Sequence, residues 1–280
     1  MTMIARALRA WALAAALLMS GCSMTDDGGR DHNPAHQPGY ALPEHRGSSP
    51  SPIPTWPGSG TGLGLPGVGQ AAPSDPDNVV RGGAGYSTQP HTFQLVDGSD
   101  VVRVSVADLG GELFHVATPG DSKVTPAVDA DGTSVTARLR DTRRDGPAIV
   151  TVVLSRDVRW QVRLAGGASD EAVDLTGGSN GGDVELTAGT SKAELSLPAA
   201  SGTERISVSS GASQLLVHLA GSAPVRVAIR DGAGDVTIDG QTHAGVAAGT
   251  VFSPPTWDAA KDRFDLDASS GVSELTVSRN

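Results

Sequence analysis

The chain has 280 residues, a formal net charge of −10 and few aromatic residues, 4% of the total against 36 glycines. An acidic surface with no run of basic residues lacks the electrostatic footprint of a nucleic-acid-binding protein and excludes nucleic acid as a partner. The single cysteine, Cys22, excludes a disulfide framework and a metal cluster held by thiolates.

Residues 1–21 are predicted to be a secretory signal peptide. Arg6 and Arg9 precede an apolar run over residues 11–19, which is too short to span a bilayer. The run ends in Leu-Met-Ser-Gly-Cys at residues 18–22. This segment resembles the bacterial lipobox, in which small residues precede a cysteine that receives a diacylglyceryl group before cleavage. The resemblance implies cleavage between Gly21 and Cys22.

Acylation of Cys22 by fatty acids such as palmitate would anchor the protein in the cell membrane, on its extracytoplasmic face. Two or more acyl chains provide the stable membrane binding that one chain does not. Loss of the leader removes two positive charges, Arg6 and Arg9, and leaves residues 22–280 with a net charge of −12. The predicted partner at this end of the chain is membrane lipid.

Residues 22–85 are predicted to be a disordered linker behind the lipidated cysteine. Ten prolines lie between Pro34 and Pro76, among Gly and Ser clusters and almost no apolar periodicity. Such a composition cannot bury enough apolar surface to offset the entropy of ordering. A coil of about 60 residues spans about 45 Å, so the linker would lift the following domain off the bilayer.

Residues 86–280 are predicted to form one all-β domain, because apolar pairs recur at a step of eleven residues. The pairs begin at Val162, Val173, Val184, Leu195, Ile206 and Val217, and later at Phe264 and Leu275. An eleven-residue apolar repeat is also typical of a right-handed helical supercoil. Glycines follow most of the pairs, however, and helix interiors do not tolerate them so often.

Each unit is therefore predicted to be a short strand followed by a Gly/Ser/Asp turn. Stacked units would give a β-solenoid or β-roll with about 22 residues in each coil, and a β-sandwich is the alternative. Residues 86–150 are predicted to be a less regular cap and residues 151–240 the regular repeats. Residues 241–262 would form a loop insertion, and residues 263–280 the terminal strands.

The repeat also resembles a known bacterial domain. The stretch from Asp-Val-Arg-Trp at 157–160 to the strand pair at 264–277 is similar to the putative-adhesin domain of unknown function. It is also similar to the C-terminal domain of cell-wall-active antibiotics response proteins. The resemblance covers about residues 90–280 and implies a β-helical solenoid in an envelope protein. No catalytic residue is established for that family, so it implies none here.

Three segments carry weak signals for chemistry. Residues 177–181 match the nucleophile elbow of hydrolases, but the next segment is predicted to be a strand where that motif needs a helix. Residues 231–240 resemble calcium-binding turns, although their spacing suits a plain turn better. The arginines of residues 138–144 could meet anionic headgroups or wall polymers, or form a solvated hairpin. We predict no catalytic residue, metal ligand or cofactor.

The insertion at 241–262 carries Phe252 and Trp257 in a chain that is poor in aromatic residues. Aromatic side chains on a loop that a rigid scaffold supports are typical of recognition. Capping of the open end of the solenoid is the alternative.

The sequence thus predicts a lipid-anchored, non-enzymatic envelope protein that binds, senses or scaffolds at the cell surface. An envelope protein or a wall polymer is the expected partner. The alternative is an enzyme that acts on wall glycan or peptide.

Overall fold

The computed structural model describes residues 77–84, 89–178 and 181–280. Nineteen strands and no helix occur in these residues. The strands are β1 Val79–Ala84, β2 His91–Leu95, β3 Ser99–Ala107, β4 Glu112–Ala117, β5 Val124–Asp131, β6 Ser134–Asp141, β7 Ile149–Ser155, β8 Trp160–Leu164, β9 Ala168–Asp174, β10 Gly182–Leu186, β11 Thr190–Leu197, β12 Thr203–Val208, β13 Ala212–Leu219, β14 Val225–Ile229, β15 Ala233–Ile238, β16 Gln241–Val246, β17 Thr250–Phe252, β18 Arg263–Ala268 and β19 Val272–Arg279.

The predicted signal peptide and most of the predicted linker lie outside the described residues. The linker was predicted to extend to residue 85, whereas the structure places Val79–Ala84 in strand β1. This strand pairs antiparallel with β4, and Val80 packs against the apolar core. Burial of a valine against a preformed sheet edge outweighs the turn-forming Gly82 and Gly83 beside it.

The strands form two mixed sheets. The ten-stranded sheet has the order β1-β4-β7-β3-β9-β11-β13-β19-β15-β16, and the nine-stranded sheet has the order β17-β14-β18-β12-β10-β8-β2-β6-β5. From β8 to β15 the chain passes alternately between the nine-stranded and the ten-stranded sheet. We call these sheet B and sheet A respectively.

Parallel pairing joins successive visits of the chain to the same sheet. Val184 pairs with Val162 on one side and Ile206 on the other, each 22 positions away in the sequence. Leu195 pairs with Val173 and Val217 at the same separation in sheet A. The eleven-residue step therefore corresponds to one strand and its turn, and two steps return the chain to the same sheet.

Two strand pairs lie out of sequence order in the stack. Strands β2 and β3 lie between β6/β7 and β8/β9. Strands β18 and β19 lie between β12/β13 and β14/β15, so that Leu266 pairs with both Ile206 and Val227. All of these pairings are parallel.

The apolar residues of each parallel strand alternate with polar ones, as half-buried strands require. Val162, Val184, Ile206, Leu266 and Val227 form one inward row in sheet B, and none is more than 1% exposed. Burial of such a side chain contributes about 1.5–3 kcal/mol to the free energy of unfolding. The inward residues of both sheets form one continuous cluster.

Antiparallel strands finish the stack at both ends. At one end β4 and β5 pair antiparallel with β7 and β6, and β1 then pairs antiparallel with β4. At the other end β16 pairs antiparallel with β15, and β17 with β14. The segment predicted as a loop insertion at 241–262 therefore holds two short edge strands as well as a loop.

The all-β prediction is confirmed. Two sheets around a shared core are the arrangement expected of a β-sandwich, the alternative in the sequence analysis. The parallel register of 22 residues is the arrangement expected of stacked units. Among the described residues, none forms a helix long and apolar enough to cross a membrane.

Candidate functional site

A tight hairpin forms the β16 end of sheet A. Strands β15 and β16 are joined by Asp239 and Gly240, which have φ angles of 48° and 83°. Ile238 pairs with Gln241 directly across this two-residue loop. Positive φ at both central residues is the type I′ geometry that matches the twist of a hairpin, and Asp-Gly is a preferred sequence for it.

The chain then crosses from sheet A to sheet B over the same end of the stack. The Gly249 amide donates to the Ile229 carbonyl at 2.8 Å, and Phe252 pairs with Val227 in β17. Val246 is buried and Phe252 packs against the core cluster from this end. Residues 241–252 therefore cover the last rows of apolar side chains.

A cavity of about 450 Å³ lies between the last strands of the two sheets. Its lining comes from β14, β15, β16, the end of β17, the segment after β17, and the end of β19. The lining residues are Pro224, Val225, Ile238, Asp239, Gln241, His243, Phe252, Ser253, Pro254, Thr256 and Arg279. We call this space the end cavity. Its volume is in the range of small-molecule binding sites.

One ion pair lies at the wall of the end cavity. Arg279 Nε lies 3.5 Å from Asp239 Oδ1, and its Nη1 donates to the Ala223 carbonyl at 2.7 Å. The Arg279 side chain is 25% exposed and that of Asp239 is 49% exposed, so solvent weakens the attraction. The pair fixes the guanidinium group and offsets its charge.

Two aromatic rings lie together in the same lining. The centroids of the His243 and Phe252 rings are 4.7 Å apart, and the ring planes are inclined by 36°. His243 and Gln241 point to the same face of β16 because side chains alternate along a strand. Thr242 lies between them and faces the other way, where its hydroxyl is 2.9 Å from that of Thr237.

The two aromatic residues that the sequence singled out have different positions. Phe252 lines the end cavity, whereas Trp257 is 5% exposed and lies outside the lining. The Trp257 indole donates to the Phe264 carbonyl at 2.7 Å, with the guanidinium groups of Arg226 and Arg263 at 3.8 and 4.3 Å from its ring. Burial and these contacts make Trp257 a packing residue between its loop and strands β14 and β18.

Arg226 also pairs with a carboxylate of the neighbouring strand. Its Nη2 donates to Asp265 Oδ2 at 2.7 Å, and this bond raises the pKa of Arg226 above its ordinary value. The guanidinium is thus held against both Asp265 and Trp257. The loop after β17 is thereby fixed to strands β14 and β18.

Cys22 and Gly21 lie outside the described residues, as do Ser179 and Asn180 of the segment that matches the nucleophile-elbow pattern. Strand β9 ends at Asp174 before this segment and strand β10 begins at Gly182 after it, so a strand follows where the elbow motif needs a helix. Among the described residues, no group of three or more His, Cys, Asp or Glu side chains could hold a metal ion.

The predicted arginine cluster lies at the opposite end of the stack. Arg138 and Arg140 line a second cavity of about 560 Å³, together with Asp97 and Asp129. Asp97 accepts a hydrogen bond from the Leu139 amide at 2.8 Å. This cavity lies against β5 and β6, at the end where the chain enters the sheets.

Two buried carboxyl groups have no counterpart in the sequence analysis. Glu171 is 1% exposed, and burial together with the charge of Asp170 raises its pKa to about 8. Glu204 is fully buried, and its pKa is also raised by burial, although the Ser201 amide and Arg159 oppose the shift. Alternation from Val173 and Ile206 places both carboxyl groups on the inward faces of β9 and β12, but a charged residue type at an inward position gives no sign of its partners.

No known protein family matches the chain, and no curated protein matches it. The structure of a putative cell adhesion protein from Clostridium sporogenes superposes with a TM-score of 0.54 at 10% sequence identity. The superposition covers 72% of this chain and 98% of the Clostridium sporogenes chain. The two proteins share a fold. A putative adhesin from Bacteroides fragilis gives a TM-score of 0.23 at 9% identity, over 74% of this chain and 98% of that one. That score is too low to bear on the fold.

Proposed function

We propose that the protein is a lipid-anchored, non-enzymatic binding protein of the cell surface, and that it binds its partner at the end cavity. The observation that carries the proposal is the position of this cavity. It lies beside β16, whereas the chain enters the described domain through β1 at the opposite edge of the same ten-stranded sheet. Nine strand spacings place these edges about 43 Å apart.

This arrangement suits a protein whose anchor precedes its domain. With Cys22 as the acylated residue, the tether would join the stack at the β1 edge. The end cavity would then lie on the edge farthest from the point of attachment. Surface binding also agrees with the fold shared with the putative cell adhesion protein from Clostridium sporogenes.

We further propose that the parallel part of the domain is a β-solenoid with two strands in each coil. Support comes from the alternation of the chain between the sheets and from the separation of 22 residues between parallel partners in strands β8 to β13. A solenoid presents rigid ends, and loops held by a rigid scaffold commonly carry binding residues.

The lining of the end cavity favours binding over hydrolysis. Asp239 is the one carboxylate among its described lining residues. Glycoside hydrolysis generally uses two carboxyl groups that flank the scissile bond. The second cavity does hold two carboxylates, Asp97 and Asp129, so an enzyme that acts on wall material would have its site there.

Co-sedimentation of the full-length protein with insoluble cell-wall fragments tests this function. We expect binding that the double variant Gln241→Ala/His243→Ala loses by about tenfold or more. Thr242→Ala is the matched control, since it changes the residue between them, whose side chain faces away from the cavity. Equal binding by all three proteins would contradict the proposed site. Turnover of the fragments by the wild-type protein would indicate the enzyme instead.

A further inference from the structure

The chemistry of the end cavity indicates the class of ligand it takes, provided that the proposed binding function holds. The walls combine opposite charges, uncharged polar groups and apolar surface within one space of about 450 Å³. Each of these three components restricts a different property of the ligand: its charge, its hydrogen-bonding groups and its apolar surface.

The charges of the lining are balanced. Arg279 is paired with Asp239, and its guanidinium also donates to the Ala223 carbonyl. Arg279 would attract an anionic ligand, but the Asp239 carboxylate beside it would repel that ligand. A cationic ligand would be attracted by Asp239 and repelled by Arg279. Apart from His243, no other ionisable side chain is among the described lining residues. A ligand without net charge fits this balance.

The uncharged polar groups can both donate and accept hydrogen bonds. The Gln241 amide and the hydroxyls of Ser253 and Thr256 lie in the lining. Among the described residues, none of these three side chains has a hydrogen-bonding partner, so a ligand would not have to break an internal bond. Hydroxyl groups on the ligand match them, because a hydroxyl also donates and accepts.

The remaining wall is apolar and partly aromatic. The rings of His243 and Phe252 lie 4.7 Å apart, and Val225, Ile238 and Pro224 extend the apolar surface inward. The faces of aromatic rings carry partial negative charge, so they attract the weakly positive C–H groups of a ligand. A matching ligand therefore has one face of C–H groups and a rim of hydroxyls.

We infer that the end cavity binds an uncharged saccharide unit of a surface glycan. A pyranose ring has both required features, since its axial C–H groups form an apolar face and its hydroxyls lie around the edge. The ion pair of Arg279 and Asp239 offers a donor and an acceptor side by side, which adjacent hydroxyls of one sugar can contact together. The Asp239–Gly240 turn holds the acceptor in place.

Isothermal titration of the full-length protein in detergent tests the inference. The uncharged probes are four tetrasaccharides, each built from one sugar: glucose, mannose, galactose or N-acetylglucosamine. A tetrasaccharide of galacturonic acid is the anionic probe. We expect an uncharged probe to bind, and Gln241→Ala and His243→Ala each to weaken its binding by about tenfold. Thr242→Ala should bind like the wild type.

Several outcomes would overturn the saccharide inference. These are no binding of any uncharged probe, stronger binding of the anionic probe, and binding that neither cavity variant weakens. The co-sedimentation experiment separates this failure from failure of the proposed function. If the wild type still binds wall fragments and the cavity variants bind them more weakly, the proposed site is supported and the inferred ligand class is wrong. Circular dichroism of each variant shows whether the fold is kept.

Discussion

Glu171 is a carboxyl group in a row of the core that is otherwise apolar. It pairs with Val102 in β3 and Ala193 in β11, and Leu215 follows in the same row. Its Oε2 atom has no hydrogen-bonding partner among the described residues. The neutral form is favoured there, because an unpaired charge in a low dielectric is costly.

The raised pKa of Glu171 makes the stability of the domain depend on pH. The pKa rises from 4.5 to about 8 on folding, so the contribution is fully present below pH 4.5 and is lost as the pH rises to about 8. The loss amounts to about 4 kcal/mol over that window. Urea unfolding at about pH 5 and about pH 9 should show this decrease in the wild type. The decrease should be clearly smaller in Glu171→Gln, where Glu204, whose pKa burial also raises, still contributes.

Glu194→Gln is the control for this measurement, because it removes a carboxyl group from the same sheet at a side chain that is 42% exposed. We expect it to keep the pH dependence of the wild type. If Glu171→Gln showed the same decrease as the wild type, Glu171 would be ionised in the folded protein at neutral pH.

At the scale of the elements, the turns between the sheets stack as closely as the strands do. Gly167 and Gly189 occupy the same place in successive turns, since the residues after them, Ala168 and Thr190, pair with each other. A Cβ atom on Gly167 would lie 2.8 Å from the Gly189 carbonyl oxygen, whereas one on Gly189 would lie 3.7 Å from the Gly211 oxygen. The first distance is a clash and the second is an ordinary contact.

We therefore expect the same substitution to have a large effect on stability at Gly167 and a small one at Gly189. Gly167→Ala should lower the free energy of unfolding by about 1–3 kcal/mol, because the turns must move apart. Gly189→Ala should change it by less than about 1 kcal/mol. Thermal or urea unfolding measures both. Equal effects would mean that the stack relaxes freely at its corners.

The edge strands carry features that oppose pairing with other molecules. Pro126 interrupts the free edge of β5, Gly245 in β16 has a φ of 63°, and β17 has three residues. Proline removes a donor, and irregular or very short edges offer few groups for another strand to pair with. These features favour recognition through the end cavity over recognition through strand addition.

At the scale of the whole molecule, the proposed anchor can be tested separately from the domain. We expect Cys22→Ala to shift the protein from the membrane fraction to the soluble fraction, because the acyl chains would be lost. Ser23→Ala is the matched control and should stay with the membrane. Fractionation followed by circular dichroism checks that the released protein is still folded. Retention of Cys22→Ala on the membrane would contradict lipid anchoring.

Much of the fold could be predicted from the sequence, because a half-buried strand records its inward face in its own alternation. Val162, Val184 and Ile206 were assigned to strands in this way and lie in one row. The order of the strands in the stack was harder to predict. Leu266 lies between Ile206 and Val227, but any two of these three apolar residues could equally well pack side by side.

The end cavity was predictable only in part. Phe252 was noted because aromatic residues are rare in this chain, and it does line the cavity. Trp257 was noted for the same reason and is buried elsewhere, since the pattern does not show which side of a loop an indole takes. Arg279 and Asp239 come from segments that only the stacking of β19 on β15 brings together.

The out-of-order position of β18 and β19 makes completion of the stack depend on residues 263–279. Strands β14 and β15 are synthesised before β18 and β19. In the sheets, however, they lie on the far side of β18 and β19 from β12 and β13. They find no parallel neighbour until residues 263–279 have emerged, and contacts between distant segments form slowly. A chain synthesised only to about residue 262 would therefore hold a stack with an unfinished end. The end cavity, which needs Arg279, would form only once β19 has joined the stack.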